Sequence, residues 1–134
     1  MNGKVVYKNK WISVINEKNF YTIDENTKQV TVLPIIDDNK LLLVKQYRPA
    51  IKKYTLEFPG GGINKNEKPK NAAIRELFEE TGIEILNKKK LLELPTISIN
   101  PQRNRKYPKI YYFNASKNEI PKKINEKNEE IDKL

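Results

Sequence analysis

The segment GGGINKNEKPKNAAIRELFEETGIEI, which runs from Gly60 to Ile85, most constrains what this chain can fold into. A short β-rich run, TLEFPGGG, ends in three glycines, and a polar loop then leads into the clearest helix of the sequence. Pro69 suits the first helical position, and Gly82 followed by Ile83 is typical of a helix C-terminus. The segment therefore predicts a strand, a glycine turn and a helix over Pro69 to Thr81.

Runs rich in β-branched and aromatic residues lie on both sides of this segment. Residues 1–29 alternate apolar and polar positions, which predicts short antiparallel strands forming an N-terminal extension to a main domain at 30–134. The run QVTVLPIIDDNKLLLV predicts a hairpin around Asp37–Asn39, and its second strand, Leu41–Val44, is expected to be central and buried. Further strands are expected in IEI at 83–85, KLLEL at 90–94 and KIYYFNA at 109–115.

The residue types that are absent limit the chemistry. The 134 residues include no cysteine and no histidine, which excludes disulfides, thiol nucleophiles, imidazole bases and imidazole metal ligands. Carboxylates, lysines, tyrosines, hydroxyls or a bound cation must therefore do the chemistry. The N-terminus lacks the apolar core of a signal peptide, and no run reaches the roughly 18 apolar residues of a membrane span, so a cytoplasmic protein without a membrane partner is expected.

The net charge of +9 would attract polyanions such as nucleic acid. However, only four of the 26 basic residues are arginine, the residue that nucleic-acid interfaces favour for bidentate contacts. A lysine-rich solvated surface explains the charge more simply. Nucleic acid is therefore not the expected partner.

The predicted helix concentrates acid in a basic chain. Glu76, Glu79 and Glu80 stand at i, i+3 and i+4, so they project from one helix face within about 6 Å of one another. Such repulsion is costly unless a cation lies between the carboxylates, and Mg²⁺ or Mn²⁺ suits oxygen ligands, although a solvated acidic surface is the alternative. The preceding glycines allow close backbone approach and offer carbonyl oxygens to a metal. Arg75 is placed to pair with Glu79 and to hold its orientation.

This combination of glycine turn and acidic helix is similar to the complete signature of the Nudix hydrolases. The matching positions, in chain order, are Gly61, Glu67, Arg75, Glu76, Leu77, Glu79, Glu80, Gly82 and Ile83. The resemblance implies an α/β fold, an α/β/α sandwich with a mixed sheet that is closed by a C-terminal helix. Because the sequence ends at Leu134, that helix is expected to be short or missing.

The residues before the glycine turn, QYR at 46–48 and EFPGG at 57–61, resemble the ADP-ribose pyrophosphatase branch of the Nudix hydrolases. Gly60 stands where that branch usually has alanine, which is expected to leave its carbonyl available to a metal while loosening the turn. The resemblance also implies a homodimer, with residues 1–29 near the interface. It implies substrate contacts from Tyr47, Arg48, Glu57, Gly61, Arg103 and Arg105.

For the reaction, the resemblance implies Mg²⁺- or Mn²⁺-dependent hydrolysis of a nucleoside diphosphate linked to another moiety, with ADP-ribose or a nucleotide sugar favoured. The implied metal ligands are the Gly60 carbonyl, Glu76, Glu79 and Glu80. The implied catalytic residues are Arg75, Glu79, Glu80 and Glu130, with Glu80 or a glutamate among 126–130 as the general base. The alternatives are a Nudix enzyme for a dinucleoside polyphosphate, an RNA 5′ end or a damaged nucleotide, and a nucleotide-binding module without catalysis.

Overall fold

A computed structural model describes residues 3–98 and 100–120 of the chain. Its strands are β1 (Lys4–Lys8), β2 (Ile12–Glu17), β3 (Phe20–Glu25), β4 (Gln29–Ile36), β5 (Lys40–Leu41), β6 (Val44–Arg48), β7 (Lys53–Glu57), β8 (Gly60–Gly62), β9 (Leu91–Glu93) and β10 (Lys109–Ala115). The helix α1 (Pro69–Thr81) follows β8 and is the one α-helix within these ranges. The result is the mixed α/β architecture that the resemblance implied.

The first three strands form an antiparallel sheet in the order β1-β2-β3. Alternation in β2 places Ser13 and Ile15 on its buried side. The turn to β3 has left-handed backbone at Lys18 and Asn19, and the Asn16 side chain accepts a hydrogen bond from the Asn19 N–H at 2.8 Å. The alternating N-terminal pattern thus produced the predicted antiparallel strands.

The main sheet is built around β4, which runs parallel to β10 and antiparallel to β5 and β8. β9 adds to the far side of β10 in antiparallel register. The side chains of β4 alternate, so that Val30, Val32 and Ile36 are buried in the core. Ala72, Ala73 and Leu77 of α1 pack into the same core, so α1 covers that face of the sheet.

The helix α1 has the predicted bounds because both ends are set by local chemistry. Pro69 lies in the first turn, where its missing N–H costs no intrahelical bond. At the other end Gly82 has a φ of 71°, and its N–H donates to the Phe78 carbonyl at 2.8 Å. This left-handed residue stops the helix and directs Ile83 into the core.

The central position predicted for a strand at Leu41–Val44 is wrong, but its predicted burial is confirmed at Leu42 and Val44, which are 2% and 1% exposed, and the hairpin turn before it is present. Asp37 and Asp38 have φ values of 48° and 62°, as a tight hairpin requires. The strand after the turn, β5, lies at the edge of the main sheet and pairs with the last two residues of β4, the Leu42 N–H adds a bond to the Pro34 carbonyl at 3.0 Å, and Leu41 is 41% exposed. The reason is competition, because β8 pairs with Gln29–Thr31 on β4 and the Pro59 carbonyl accepts the Val32 N–H. The chain then turns away, and β6 pairs with β7 in a separate two-stranded sheet.

Residues 83–85 do not form the predicted strand. Ile83 and Ile85 are buried while Glu84 is exposed, so the alternation reflects a packed loop rather than a hydrogen-bonded strand. The C-terminal helix that was expected to be short or missing would fall within residues 121–134, outside the described residues. Among the residues that are described, no helix has the length and apolar character needed to cross a membrane.

Candidate active site

The acidic residues of α1 meet the glycine strand β8. A Cβ on Gly61 would lie 2.5 Å from the carboxyl carbon of Glu76, so the absence of a side chain there makes room for this carboxylate. Glu80 accepts a hydrogen bond from the Gly60 N–H at 2.9 Å. Two carboxylates from successive turns of α1 therefore converge on two adjacent glycines.

Arg75 connects the remaining parts of this site. Its guanidinium donates to Glu76 at 2.7 Å, to Glu79 at 3.2 Å and to the Gly62 carbonyl at 2.8 Å. It also forms a bidentate pair with Glu67, with nitrogen–oxygen distances of 3.0 and 2.9 Å. These contacts raise the pKa of Arg75 above its already high value, chiefly through Glu67. The predicted contact with Glu79 is present, and the contact with Glu76 is an addition that helical spacing did not indicate.

Glu67 is fixed from two sides. Arg75 and, to a smaller degree, the Asn64 N–H donate to its carboxylate, and both lower the pKa of Glu67 below its usual 4.5. The turn that brings Glu67 to Arg75 includes a left-handed residue, Asn66, with a φ of 64°. The loop between β8 and α1 is thus tied to the first half of the helix.

The oxygen donors of this site fit a hard divalent cation. Glu76, Glu79 and Glu80 are carboxylates on one helix face, and the backbone of β8 lies beside them without side chains. In the described part of the chain, no three acidic side chains stand together at metal-binding distances. Glu76 and Glu79 are instead paired with Arg75, and Glu80 with the Gly60 N–H. Side-chain rotation on the fixed helix is the change that coordination requires.

Glu57 and Arg48, both predicted to contact substrate, bind each other across the β6–β7 hairpin. Arg48 donates to both carboxylate oxygens of Glu57, with a distance of 2.7 Å from Nε, and Thr55 donates a further bond. Arg48 and Thr55 lower the pKa of Glu57, while partial burial opposes the shift. Glu57 is therefore held as a charged acceptor three residues before Gly60.

Of the other predicted substrate contacts, Tyr47 lies on β6, and Arg103 and Arg105 lie in the loop before β10. Tyr47 packs edge-on against Tyr54, with ring centroids 5.4 Å apart, and is 52% exposed. Arg103 donates to the Tyr21 carbonyl at 3.0 Å and lies over the Phe20 ring. Arg105 donates to Thr22 and Glu17, each at 2.8 Å. The contacts of both arginines are with the N-terminal sheet, and their role toward phosphate stays a prediction.

The last predicted catalytic residue, Glu130, lies outside the described residues, as do Glu126 and Glu129. Sequence reasoning missed the support that Thr55 and Asn64 give to Glu57 and Glu67. It also missed Gln29 and Thr31, which line a cleft on the face of β4 turned away from the core. The alternation of Gln29 and Thr31 with the buried Val30 and Val32 of β4 is the signal that could have indicated this second face.

The variant Glu67→Gln tests the pH dependence of stability that the ion pair between Glu67 and Arg75 is expected to give. The pKa of Glu67 is lower in the folded state than in the unfolded state, so its ionised form stabilises the fold. This stabilisation is complete above the pKa of the unfolded state, near 4.5, and is lost as the pH falls through the pKa of the folded state. We therefore expect the variant to melt at a lower temperature than wild type at pH 7, with the difference shrinking below about pH 4.5. Melting curves from pH 7 to pH 3 measure this. The exposed Glu84→Gln is the control, and a constant difference across the range would contradict the assignment.

The fold and the site define a class: a mixed α/β domain in which one helix presents carboxylates and an arginine to a glycine strand. The family model described as NUDIX domain matches residues 25–134 of this chain. The chain belongs to the Nudix family.

Named relatives and a solved structure extend this comparison. The chain is 46% identical over 55 residues to the methanol dehydrogenase activator of Bacillus methanolicus, covering 41% of this chain and 30% of that protein. It is 38% identical over 72 residues to the ADP-ribose pyrophosphatase of Bacillus subtilis (strain 168), covering 54% of this chain and 37% of that protein. The chain thus spans about a third of the length of these relatives. A crystal structure of an ADP compounds hydrolase has the same fold, with a TM-score of 0.66, 23% identity, and coverage of 100% of this chain and 75% of that one.

Proposed function

We propose that this chain hydrolyses the diphosphate bond of a nucleoside diphosphate linked to another moiety, with ADP-ribose or a nucleotide sugar as substrate. The observation that carries the proposal is the convergence of Glu76 and Glu80 on β8, with Gly61 leaving space for one carboxylate and the Gly60 N–H orienting the other. A diphosphate is itself strongly anionic, so it would not approach these carboxylates without a cation. A diphosphate substrate at these glutamates therefore requires a bound cation, as in a metal-dependent hydrolase.

Glu76, Glu79, Glu80 and the Gly60 carbonyl are the residues that would hold Mg²⁺ or Mn²⁺. When bound, such a cation neutralises phosphate charge and makes a nearby water more acidic. Arg75 would keep Glu79 and Glu76 aligned, since its guanidinium contacts both and is anchored by Glu67. The donor that orients Glu80 is a backbone N–H, which is rigid because β8 is paired with β4.

The reaction consumes one water. The water oxygen forms a bond to one phosphorus, the bond from that phosphorus to the bridging oxygen breaks, and the products are a nucleoside monophosphate and a sugar phosphate. A carboxylate must accept the proton that the water loses, since the sequence has no histidine. Glu80 is the proposed acceptor among the described residues, with the glutamates at 126–130 as the alternative.

Two observations support this substrate class: the names of similar proteins, and the residues that precede the acidic helix. A relative in Bacillus subtilis is called an ADP-ribose pyrophosphatase, and a structure of the same fold is called an ADP compounds hydrolase. The QYR and EFPGG stretches that resemble that branch lie on β6, β7 and β8, directly before the acidic helix.

The test is turnover of a panel of ADP-ribose, nucleotide sugars, diadenosine tetraphosphate and 5′-triphosphate RNA with Mg²⁺. We expect release of AMP and ribose 5-phosphate from ADP-ribose, and an EDTA arm is expected to lower the rate by about 10²-fold or more, because the phosphate charge is then left unneutralised. Restoring Mg²⁺ should restore the rate. Hydrolysis of no panel member, or a rate unaffected by EDTA, would contradict the proposal.

We also propose that the chain forms a homodimer through its N-terminal sheet. The whole of β1 is exposed, and Val5, Tyr7, Trp11 and Phe20 are between 47% and 65% exposed on this sheet. Apolar side chains in such number favour burial against a second surface. Light scattering coupled to gel filtration measures the mass, and we expect Trp11→Glu to shift a dimer toward monomer. A wild-type monomer at high concentration would contradict this.

A further inference from the structure

A cleft of about 210 Å³ lies on the side of the main sheet turned away from α1. Gln29 and Thr31 of β4 line it, because they alternate with the core residues of that strand. Glu57 lines one side, and Lys106 and Tyr107 of the loop before β10 line another. No predicted catalytic residue lines this cleft, so it is separate from the acidic helix face.

The loop that forms one wall is held against the N-terminal sheet. The Ile23 N–H donates to the Arg103 carbonyl at 2.7 Å, and the Arg105 N–H donates to the Ile23 carbonyl at 3.0 Å. The Arg105 side chain adds its bonds to β2 and β3, and Lys106 lies 2.8 Å from the Asp24 carboxylate. This wall is therefore positioned by β3, although it has no regular secondary structure of its own. A side chain that points from it into the cleft is presented in a defined place.

The chemistry of the lining suits an uncharged ring that donates hydrogen bonds. Glu25 and Glu57 place carboxylates at the cleft, Glu57 is paired with Arg48, and Lys106 is engaged by the Asp24 carboxylate and the Glu25 carbonyl, so the lining offers a phosphate little net attraction. Amide oxygens and carboxylates accept hydrogen bonds, as from the exocyclic amino group of a nucleobase. Tyr107 adds an aromatic ring that is 55% exposed, and aromatic faces stack well on bases.

Size and position agree with this chemistry. The cleft is smaller than the roughly 300–1,000 Å³ of pockets that enclose a whole drug-sized ligand, so it fits one ring system rather than a complete nucleotide sugar. Thr31 pairs with Gly60 across the sheet, and Glu57 precedes Gly60 by three residues. The cleft therefore adjoins β8 through Thr31 in the sheet and Glu57 in the chain, and phosphates attached to a ring bound there would extend toward the β8 edge of the sheet.

We propose that this cleft binds the nucleobase of the substrate, with Tyr107 as a specificity-determining residue that stacks on the base. The proposal rests on the proposed nucleotide substrate and adds to it the place where the base binds. Tyr47, which the resemblance implied as a substrate contact, lies on the β6–β7 hairpin and already packs against Tyr54. The two tyrosines are almost equally exposed, at 52% and 55%, so they form a matched pair for mutation.

The experiment measures AMP binding to the full chain by calorimetry, beside ribose 5-phosphate, which has no base. We expect Tyr107→Ala to weaken AMP binding by about 5- to 100-fold, the range that loss of one stacked base gives. Tyr107→Phe should bind near the wild-type value, because the ring remains. Ribose 5-phosphate affinity should be the same in wild type and Tyr107→Ala. With ADP-ribose, Tyr107→Ala should raise KM and leave kcat unchanged.

The outcomes separate this inference from the proposed function, since AMP binding does not depend on hydrolysis. Wild-type turnover of ADP-ribose with AMP binding unaffected by Tyr107→Ala would overturn the base site and leave the hydrolase standing. AMP binding that depends on Tyr107, without turnover of any nucleotide, would support the base site and overturn the hydrolase. Loss of AMP affinity in Tyr47→Ala instead of Tyr107→Ala would also overturn the inference, because the base would then bind at the hairpin.

Discussion

Glu80→Gln is expected to lower kcat for ADP-ribose by about 10²- to 10⁴-fold, the contribution of a positioned general base. The fold should survive, because a glutamine carbonyl can still accept the Gly60 N–H that Glu80 accepts at 2.9 Å. What the variant loses is a negative oxygen that can bind a cation or take a proton from water. Steady-state kinetics with saturating Mg²⁺, together with a melting curve, separates this loss from unfolding.

The control for Glu80→Gln is Glu84→Gln, which removes the same charge just beyond the end of α1. Glu84 is exposed and follows Gly82, the residue at which α1 ends. We expect its kinetics to match wild type. If the two variants had equal activity, Glu80 would be neither the base nor a required metal ligand, and the glutamates at 126–130 would become the candidates for the base.

The helix at this site was predictable because its determinants are local. Pro69 and Gly82 act through their own backbone geometry, so the bounds follow from single residues. The contact of Arg75 with Glu79 likewise follows from the four-residue spacing of a helix. Features of this kind depend on residues within about one helical turn of each other, so the local sequence shows them directly.

The parts that could not be predicted depend on competition between distant segments. Leu41–Val44 reads as a buried strand, but whether it pairs with β4 depends on β8, which comes some 20 residues later and occupies most of the same edge. Ile83 and Ile85 alternate with Glu84 like a strand, and only the packing against the core shows that no strand partner is used. Periodicity reports which side chains are buried and leaves open the element that buries them.

The arginines show the same limit at the level of the site. The resemblance implied that Arg103 and Arg105 contact the substrate. In the structure, their side chains donate hydrogen bonds to Glu17, Tyr21 and Thr22, which lie about 80 residues earlier in the sequence. Such partners cannot be read from local spacing, and they make the loop a wall of the cleft that holds Tyr107.

Gly60→Ala is expected to destabilise the fold by about 1–3 kcal/mol, the usual cost of overpacking. The sequence suggested that glycine here would loosen a turn that has alanine in similar proteins. In the structure the issue is space, since a Cβ would lie 2.3 Å from the Val30 carbonyl oxygen and 3.0 Å from the Thr31 Cα. These are backbone atoms of β4, which cannot rotate aside, so β8 must move away from β4.

Movement of β8 would also misplace the Gly60 N–H that orients Glu80, and a displacement near 1 Å can cost about 10²-fold in rate. Gly62→Ala is the matched control on the same strand. Its Cβ would meet only the Thr27 methyl at 3.1 Å, and that methyl can shift with its side chain. Urea denaturation and ADP-ribose kinetics on both variants measure the difference. A Gly60→Ala protein as stable and active as Gly62→Ala would mean that the β8–β4 spacing readily admits a methyl group, and that the close approach of these strands does not fix the position of Glu80.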